Sequence, residues 1–201
     1  TETKSNLGAN AILAVSLAYA RAAAAQRRLP LYRHLAEMAG TGLAWLPRPT
    51  INLFSGGKHA GRQAPIQDVL VVPASARTMD EALSMTYAVY MSAAERVARK
   101  YGMRLLRADE GGQAPPFPNV ESMFEDALGA IEAAGLAPGR DVVLAVDVAS
   151  THFHGSSGYD LGAETLTSRG MIERLAQWVE HYRIVSVEDG LAEEDWEHWP
   201  A

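Results

Sequence analysis

The sequence predicts an α/β fold in which strands alternate with helices. Two short, mostly apolar segments, residues 142–148 and 184–187, are typical of strands buried on both faces, because they lack a regular polar alternation. A helical pattern at residues 170–182 separates them, and Thr78 with Glu81 forms a capping box that opens an earlier helix. Strands that alternate with helices of this length predict parallel βαβ units.

The chain is expected to begin with two helices. Residues 5–26 are rich in Ala and Leu and place apolar side chains near one helical face, which predicts a long, mostly buried helix. A shorter helix is predicted at residues 31–39. The proline-containing segment 45–49 is stiff and cannot continue a helix. We therefore expect a domain boundary there, with residues 1–46 in one domain and residues 47–201 in the other.

The second domain is expected to continue the alternation. We predict strands at residues 50–54, 69–72, 142–148 and 184–187, and helices at residues 79–101, 120–134 and 170–182. Gly102 is expected to end the first of these helices, because glycine readily adopts the left-handed conformation that follows a helix.

Composition and charge exclude several classes of protein. The 201 residues contain no cysteine, which excludes a disulfide scaffold and a thiolate metal site. The net charge is -6, from 18 basic and 24 acidic side chains, and the basic residues are scattered, so we expect no nucleic-acid partner. The longest apolar stretch is interrupted by Asn10, Ser16 and Arg21, and no signal segment is present. We therefore expect a cytoplasmic protein with no membrane partner.

Two predicted strands each lead into acidic side chains. Asp147 follows the strand at residues 142–146, and Glu188 with Asp189 follows the strand at residues 184–187. In a (β/α) barrel the carboxyl ends of the strands converge on one face, which would place Asp147 and Glu188 on one rim. Carboxylates brought together in this way suit magnesium. The alternative, that both side chains cap the following helices or pair with surface arginines, is equally consistent with their positions.

Other segments could also carry polar groups into a site. The Asp-Glu-Gly-Gly segment around Glu110 could supply a general acid or base near a metal, although an ordinary surface turn fits the motif better. The glycine-bracketed loop at residues 55–61 carries His59, which could cover a substrate or simply be solvated. His152 and His154 lie two residues apart, but without a third ligand nearby a metal pair there is disfavoured.

Taken together, these segments resemble the enolase family, the phosphopyruvate hydratases. The resemblance rests on KSNLGANAIL at 4–13, PLYRH at 30–34, GGKHAG at 56–61, DEGG at 109–112, DVAS at 147–150, YDL at 159–161, VSVED at 185–189 and DW at 195–196. Their order and spacing are specific together, whereas no single segment is. The resemblance implies the first half of an enolase-type modified (β/α)8 barrel, preceded by the last helices of an α+β N-terminal domain.

The resemblance also implies a reaction, the reversible dehydration of 2-phosphoglycerate to phosphoenolpyruvate in glycolysis. Asp147 and Glu188 would bind the catalytic magnesium, which stabilises the charge formed when a weakly acidic proton leaves. Glu110 would assist the departure of hydroxide, while His59 and Gln67 would contact the substrate. The partner would be a small phosphorylated carboxylate. We also expect a homo-oligomer, since enolases are commonly dimers or larger.

The sequence departs from the family around the expected site. Asp68 stands where enolases carry a glutamate, so this catalytic carboxylate is one methylene short, and a shift of about 1 Å can cost about a hundredfold in rate. Lys58 replaces a small polar residue, Gln113 an apolar one and Gly190 a proline. Three functions stay open: an enolase, a paralogue acting on a related phosphorylated or phosphonylated carboxylic acid, and a non-catalytic enolase-like binding protein.

The ends of the sequence predict a piece of a longer chain. It begins at Thr1 rather than at a methionine and ends at Ala201, soon after a predicted strand. The family's third metal carboxylate, its lysine base, and its phosphate-binding arginine and serine would then lie outside it. Because half a barrel cannot close on itself, we predict that the 201 residues alone do not convert 2-phosphoglycerate. Magnesium-dependent turnover by this polypeptide would contradict the prediction.

Overall fold

The chain folds into two compact units. The computed structural model describes residues 5–102, 104 and 106–201, without the side chain of His59. The units are Thr1–Pro47 and Arg48–Ala201, so the division falls within the proline-containing segment 45–49. Among the described residues, none of the helices has the length and apolar character needed to cross a membrane.

The first unit contains two helices, α1 (Ala9–Gln26) and α2 (Leu31–Ala39). Gly40 ends α2 in the left-handed conformation, with φ at 64°. Ala24 is the one buried residue of α1, so the expectation of a mostly buried helix is wrong. The reason is that α2, the other described helix of this unit, is half as long as α1 and covers only part of its apolar surface.

In its described residues, the second unit contains seven strands and three α-helices. The strands are β1 (Ile51–Ser55), β2 (Asp68–Val72), β3 (Val143–Asp147), β4 (His154–Gly155), β5 (Gly158–Asp160), β6 (Thr165–Leu166) and β7 (Ile184–Glu188). The helices are α3 (Met79–Tyr101), α4 (Val120–Ala133) and α5 (Ser168–Tyr182). These bounds confirm the predicted α/β alternation, and the short strands β4, β5 and β6 form a separate small sheet.

The main sheet has the order β1-β2-β3-β7 and is open in the described part of the chain. Among the hydrogen-bonded neighbours of this sheet in the described residues, β3 and β7 are the one parallel pair, and β2 is antiparallel to both β1 and β3. The expectation of parallel units throughout is therefore wrong for the first three strands. Two helices, α3 and α4, connect β2 to β3. A single crossover helix would bring the chain back to start a parallel strand, whereas the second helix reverses the chain once more, so β3 runs antiparallel to β2.

The last strand, β7, also differs from the prediction. Ile184 is buried, but Val185 is 61% exposed and the rest of the strand is exposed, so it is not covered on both faces. As the outer strand of the sheet, β7 has a neighbouring strand only on its β3 side. In contrast, the interior of β3 is buried, as its continuous apolar sequence predicts.

The core lies between the sheet and the helices. The described core side chains include Phe54, Val69, Val71, Val89, Met123, Phe124, Ile131, Leu144 and Val146. Aromatic rings add edge contacts, with the Phe54 and Phe117 centroids 5.1 Å apart. Half of the predicted capping box forms at the start of α3, where Thr78 Oγ1 accepts a hydrogen bond from the Glu81 N–H at 3.2 Å. The Glu81 carboxylate accepts from the Arg77 N–H at 2.7 Å, one residue before the cap. This packing fixes the sheet edge on which the site is built.

A buried carboxylate joins α3 to α4. Asp126 is fully buried and accepts hydrogen bonds from Lys100 Nζ at 2.8 and 2.9 Å and from Tyr101 Oη at 2.7 Å. The guanidinium of Arg96 donates to the same carboxylate at 3.2 Å. Burial and the hydrogen bond to Asp126 raise the pKa of the Tyr101 hydroxyl, which therefore stays protonated and donates. The three donors, Arg96, Lys100 and Tyr101, together satisfy a charge that would otherwise be costly to bury.

We predict that Asp126→Ala lowers the free energy of unfolding by about 3 kcal/mol, because it leaves partly buried cations without their counter-charge. Urea unfolding followed by circular dichroism measures this change. Glu95→Ala is the control, since Glu95 forms an exposed pair with Arg99 at 3.9 Å and should change stability by at most about 0.5 kcal/mol. Equal effects of the two substitutions would contradict a structural role for Asp126.

Candidate active site

Three carboxylates lie in a row across the main sheet. Asp68, at the start of β2, is the register partner of Asp147, at the end of β3. Asp147 is in turn the partner of Glu188, at the end of β7. Because β2 is antiparallel to β3, its first residue meets the last residue of β3 at the same edge of the sheet. The structure thus brings together three of the predicted site residues, from segments far apart in the sequence.

Asp147 lies at the centre of this row. Burial and the neighbouring carboxylates Glu188, Asp68 and Asp189 raise its pKa from 3.8 to about 6, with burial as the largest cause. Gln67 Nε2 donates a hydrogen bond to Asp147 Oδ2 at 2.9 Å. Asp147 Oδ1 is buried and has no hydrogen-bond partner among the described residues.

These features fit a cation between Asp147 and Glu188. A buried carboxylate oxygen without a donor, crowded by like charges, is stabilised when a positive charge binds to it. In the part of the chain that the structure describes, no three His, Asp or Glu side chains form a complete metal site. Magnesium often takes only one or two protein carboxylates and completes its coordination with water and substrate oxygens. The pair therefore suits part of such a site.

Asp68 is buried more deeply than the other two carboxylates, with 3% of its surface exposed. Its Oδ1 accepts hydrogen bonds from Asn52 Nδ2 and from Ser55 Oγ, both at 2.6 Å. Gly112 packs against both of these partners, and a Cβ at that position would collide with Ser55 Oγ and Asn52 Oδ1. The carboxylate of Asp68 is therefore held in place by β1 and by the segment that carries Gly112.

Glu110 lies in the turn that leads into that segment. Ser55 N–H donates to Gln113 O at 2.9 Å, and Gln113 N–H donates to Leu53 O at 2.8 Å, which aligns residues 111–114 with β1. Tyr90 Oη donates to Gly111 O at 2.7 Å. Glu110 is exposed in the turn that precedes these bonds.

The loop between β1 and β2 contributes two of the predicted residues. Its ends are joined by the Gly56 N–H, which donates to Gln67 O at 2.6 Å, and this bond positions Gln67 beside Asp147. His59 lies in a short 3₁₀ turn, Lys58–Ala60, and its side chain falls outside the described part of the chain. Lys58 is exposed. The predicted role of His59 stays a prediction.

Sequence reasoning missed the residues that support the carboxylates. Ala149 and Asp189 adopt left-handed backbone conformations, with φ at 50° and 47°, directly beyond the two parallel strands. Ser150 N–H donates to Asp189 O at 3.1 Å and holds the two loops together. Asn52 and Ser55 were missed as well, although a polar Asn52 inside an apolar strand is a usable signal. Non-glycine residues with this backbone geometry are concentrated at functional sites.

Carboxylates at the carboxyl ends of strands are typical of barrel-type enzyme domains, whose active sites lie on that face. Residues 43–201 match the family model described as the enolase C-terminal TIM barrel domain, and residues 1–35 match that of the enolase N-terminal domain. Since the first match covers more than half of the chain, the chain belongs to the enolase family. The resemblance inferred from the sequence is confirmed, and an enolase-like lyase function is supported.

We predict that the raised pKa of Asp147 makes stability depend on pH in metal-free buffer. The folded pKa of about 6 lies above the unfolded value of 3.8, so the folded protein binds more protons in this range and loses stability as the pH rises through 6. Asp147→Asn should remove this loss and unfold at a higher temperature than the parent at pH 7.5.

The advantage of Asp147→Asn should shrink toward pH 4, where the parent carboxyl is protonated. Thermal unfolding of both proteins across this range gives the comparison. Glu95→Gln serves as the control, since the Glu95 side chain is 73% exposed. A constant difference between Asp147→Asn and the parent at all pH values would contradict the assignment.

Proposed function

We propose that this protein catalyses the reversible, magnesium-dependent dehydration of 2-phosphoglycerate to phosphoenolpyruvate. The observation that supports this most strongly is the pairing of Asp147 with Glu188 at one edge of the sheet. The unpartnered Oδ1 of Asp147 adds an acceptor that suits a cation. The match to the enolase family makes this reaction the expected chemistry for such a pair.

Asp147 and Glu188 would hold magnesium, which would stabilise the negative charge that develops on the substrate carboxylate. Gln67 holds Oδ2 of Asp147 with its amide and thereby leaves Oδ1 as the oxygen available for the metal. The loops beyond β3 and β7 are joined by backbone hydrogen bonds, so the two carboxylates are preorganised despite their repulsion.

Glu110 is proposed as the acid that assists the departure of hydroxide from the substrate. Its turn is held by the hydrogen bonds of Gly111 and Gln113, and Gly112, two residues after Glu110, packs against Asn52 and Ser55, the partners of Asp68. A carboxyl group placed near a bound cation and a leaving hydroxyl can donate a proton in the transition state. His59 is proposed to contact the substrate from the neighbouring loop.

A second candidate function is an enolase-like reaction on a different substrate, a related phosphorylated or phosphonylated carboxylic acid. Asp68 favours it, because two hydrogen bonds and near-complete burial hold this shorter carboxylate toward Asn52 and Ser55. A side chain held in this way has little freedom to move toward the substrate to compensate for the missing methylene. Asp68, held by Asn52 and Ser55, would then leave a wider substrate site than a glutamate at this position.

The proposal also covers the protein's substrate class, location, oligomeric state and partners. We expect it to act on a small phosphorylated carboxylate in the cytoplasm, as a homo-oligomer and without nucleic-acid or membrane partners. Domains bounded at residues 1–46 and 47–201 stay our assignment for the two parts of the enolase fold.

The test is turnover of 2-phosphoglycerate by the full-length protein with and without magnesium, followed by ultraviolet absorbance of phosphoenolpyruvate. Glu110→Gln should lower kcat by about a hundredfold or more while magnesium binding persists, because it removes only the proton donor. Asp147→Asn and Glu188→Gln should each weaken magnesium binding measured by titration calorimetry. Glu95→Gln, at an exposed position on α3, should change neither property.

The outcomes separate the three hypotheses. Absence of phosphoenolpyruvate despite intact magnesium binding would refute the 2-phosphoglycerate reaction and favour the second candidate, which is then tested with phosphonylated analogues. Absence of both magnesium binding and turnover would favour a non-catalytic enolase-like binding protein. Full activity of Glu110→Gln would refute the role given to Glu110.

A further inference from the structure

The segments that follow β3 and β7 are joined by three hydrogen bonds in a row. Three consecutive carbonyl groups accept them, those of Glu188, Asp189 and Gly190. Val148 N–H donates to the first at 3.0 Å, and Ser150 N–H donates to the second at 3.1 Å. The third donor is a side chain, since Ser150 Oγ donates to Gly190 O at 2.8 Å. One hydroxyl group therefore continues the backbone pairing of the two strands.

This hydroxyl group lies in the protein interior. Ser150 has no exposed surface, and the hydrogen bond that its side chain donates is buried. Gly190 is buried as well and lies against α5, where an added Cβ would be 2.9 Å from Leu175 Cδ1. Ser150 Oγ is the one donor to Gly190 O among the described residues. Loss of the hydroxyl would leave this buried carbonyl oxygen unpaired, which is costly.

The same residue supports a strained backbone next to the carboxylate row. Asp189, directly after Glu188, has φ at 47°, in the left-handed region that disfavours residues with a Cβ. Such a conformation persists only when the surrounding structure holds it. Ser150 donates to the carbonyl of Asp189 and to the next carbonyl in the chain, so it holds the strained residue at two consecutive peptide groups.

The position of Glu188 depends on these bonds. Glu188 is the last residue of β7 and the register partner of Asp147. In the described part of the chain, β7 has a neighbouring strand only on its β3 side. Without a cation, the like charges of the two carboxylates favour movement of Glu188 away from β3. A bond that holds the segment directly after Glu188 opposes this movement.

We propose that Ser150 is a positioning residue whose hydroxyl holds the segment after β7, so that Asp147 and Glu188 bind one magnesium ion together. The inference rests on the proposed function, which gives these two carboxylates to magnesium. Ser150 itself touches neither the metal nor the substrate. Groups that hold metal-binding side chains in place affect metal affinity by about 10- to 100-fold.

Titration calorimetry of the full-length protein with magnesium tests this role. Ser150→Ala should weaken magnesium binding about tenfold or more, because the second carboxylate is then less well placed. Ser150→Cys keeps a side chain of similar size with a weak S–H donor, so its affinity should lie between those of Ser150→Ala and the parent.

The kinetics should separate positioning from a direct part in the chemistry. In Ser150→Ala, the magnesium concentration that gives half-maximal turnover of 2-phosphoglycerate should rise by the same factor as the dissociation constant. At saturating magnesium, kcat should fall by less than about threefold, since no group that contacts the substrate has been removed.

Thr151→Val is the matched control, because it removes a hydroxyl from the neighbouring residue of the same turn. Thr151 Oγ1 accepts a hydrogen bond from Glu193 N–H at 2.9 Å, farther along the segment after β7. The carbonyl groups of Glu188, Asp189 and Gly190 keep their donors in this variant. Its magnesium affinity should equal that of the parent.

Hydrogen–deuterium exchange in metal-free buffer supplies a readout that needs neither magnesium nor turnover. Ser150→Ala should speed exchange in residues 189–192, because the segment opens more often when its hydroxyl bond is lost. Ala192 N–H, which donates to Tyr159 Oη at 3.0 Å, is one reporter of this opening. Exchange in residues 143–147 should stay at the rate of the parent.

Several results would overturn the role of Ser150. They are unchanged magnesium affinity in Ser150→Ala, unchanged exchange in residues 189–192, and an equal loss of affinity in Thr151→Val. Failure of the parent to convert 2-phosphoglycerate despite intact magnesium binding refutes the proposed reaction alone, since calorimetry of Ser150→Ala still decides the role of Ser150. A parent that binds no magnesium contradicts both.

Discussion

The repulsion among carboxylates at one edge of the main sheet is the constraint on which the rest of the site depends. Asp147 lies between Asp68 and Glu188, and burial together with these like charges raises its pKa to about 6. The strand register makes these three residues direct neighbours, so a change of side-chain rotamer cannot move their carboxylates far apart. The folded protein must offset the cost elsewhere or by binding a cation.

The surrounding structure shows how that offset is distributed. Asp68 is stabilised by the hydroxyl of Ser55 and the amide of Asn52, and Asp147 by the amide of Gln67. These partners are neutral, so they reduce the cost of burial without neutralising the charge. A site designed only for stability would place an arginine there, as the chain does around Asp126 with Arg96 and Lys100. The contrast supports a cation-binding role for the row.

The alternation of elements could be predicted from the sequence, because continuous apolar segments, capping residues and glycine stops act locally. The bounds of α2, α3 and β3 follow from such signals. Strand direction could not be predicted in the same way, since a helix pair and a single crossover helix have similar local patterns. The prediction that α1 and β7 are buried was also wrong, because the exposure of a helix or strand depends on which elements lie alongside it.

The candidate site was predictable to the extent that it lies at strand ends. Asp147 and Glu188 follow apolar strands, so their convergence could be inferred before their register was known. The supporting groups were not predictable in this way, because an Asn or Ser becomes significant only when the fold places it 2.6 Å from a carboxylate. The left-handed backbone of Ala149 had no signal, since alanine rarely adopts it.

The loop between β1 and β2 supplies one of the neutral partners of the carboxylate row. Gln67, at the end of this loop, donates a hydrogen bond to Asp147. The loop is closed by the bonds from Gly56 to Gln67 and from Arg62 to Gly57, both between backbone groups. These bonds restrict the backbone that holds the Gln67 amide against the Asp147 carboxylate, so Oδ2 of Asp147 keeps its donor while Oδ1 stays without one among the described residues.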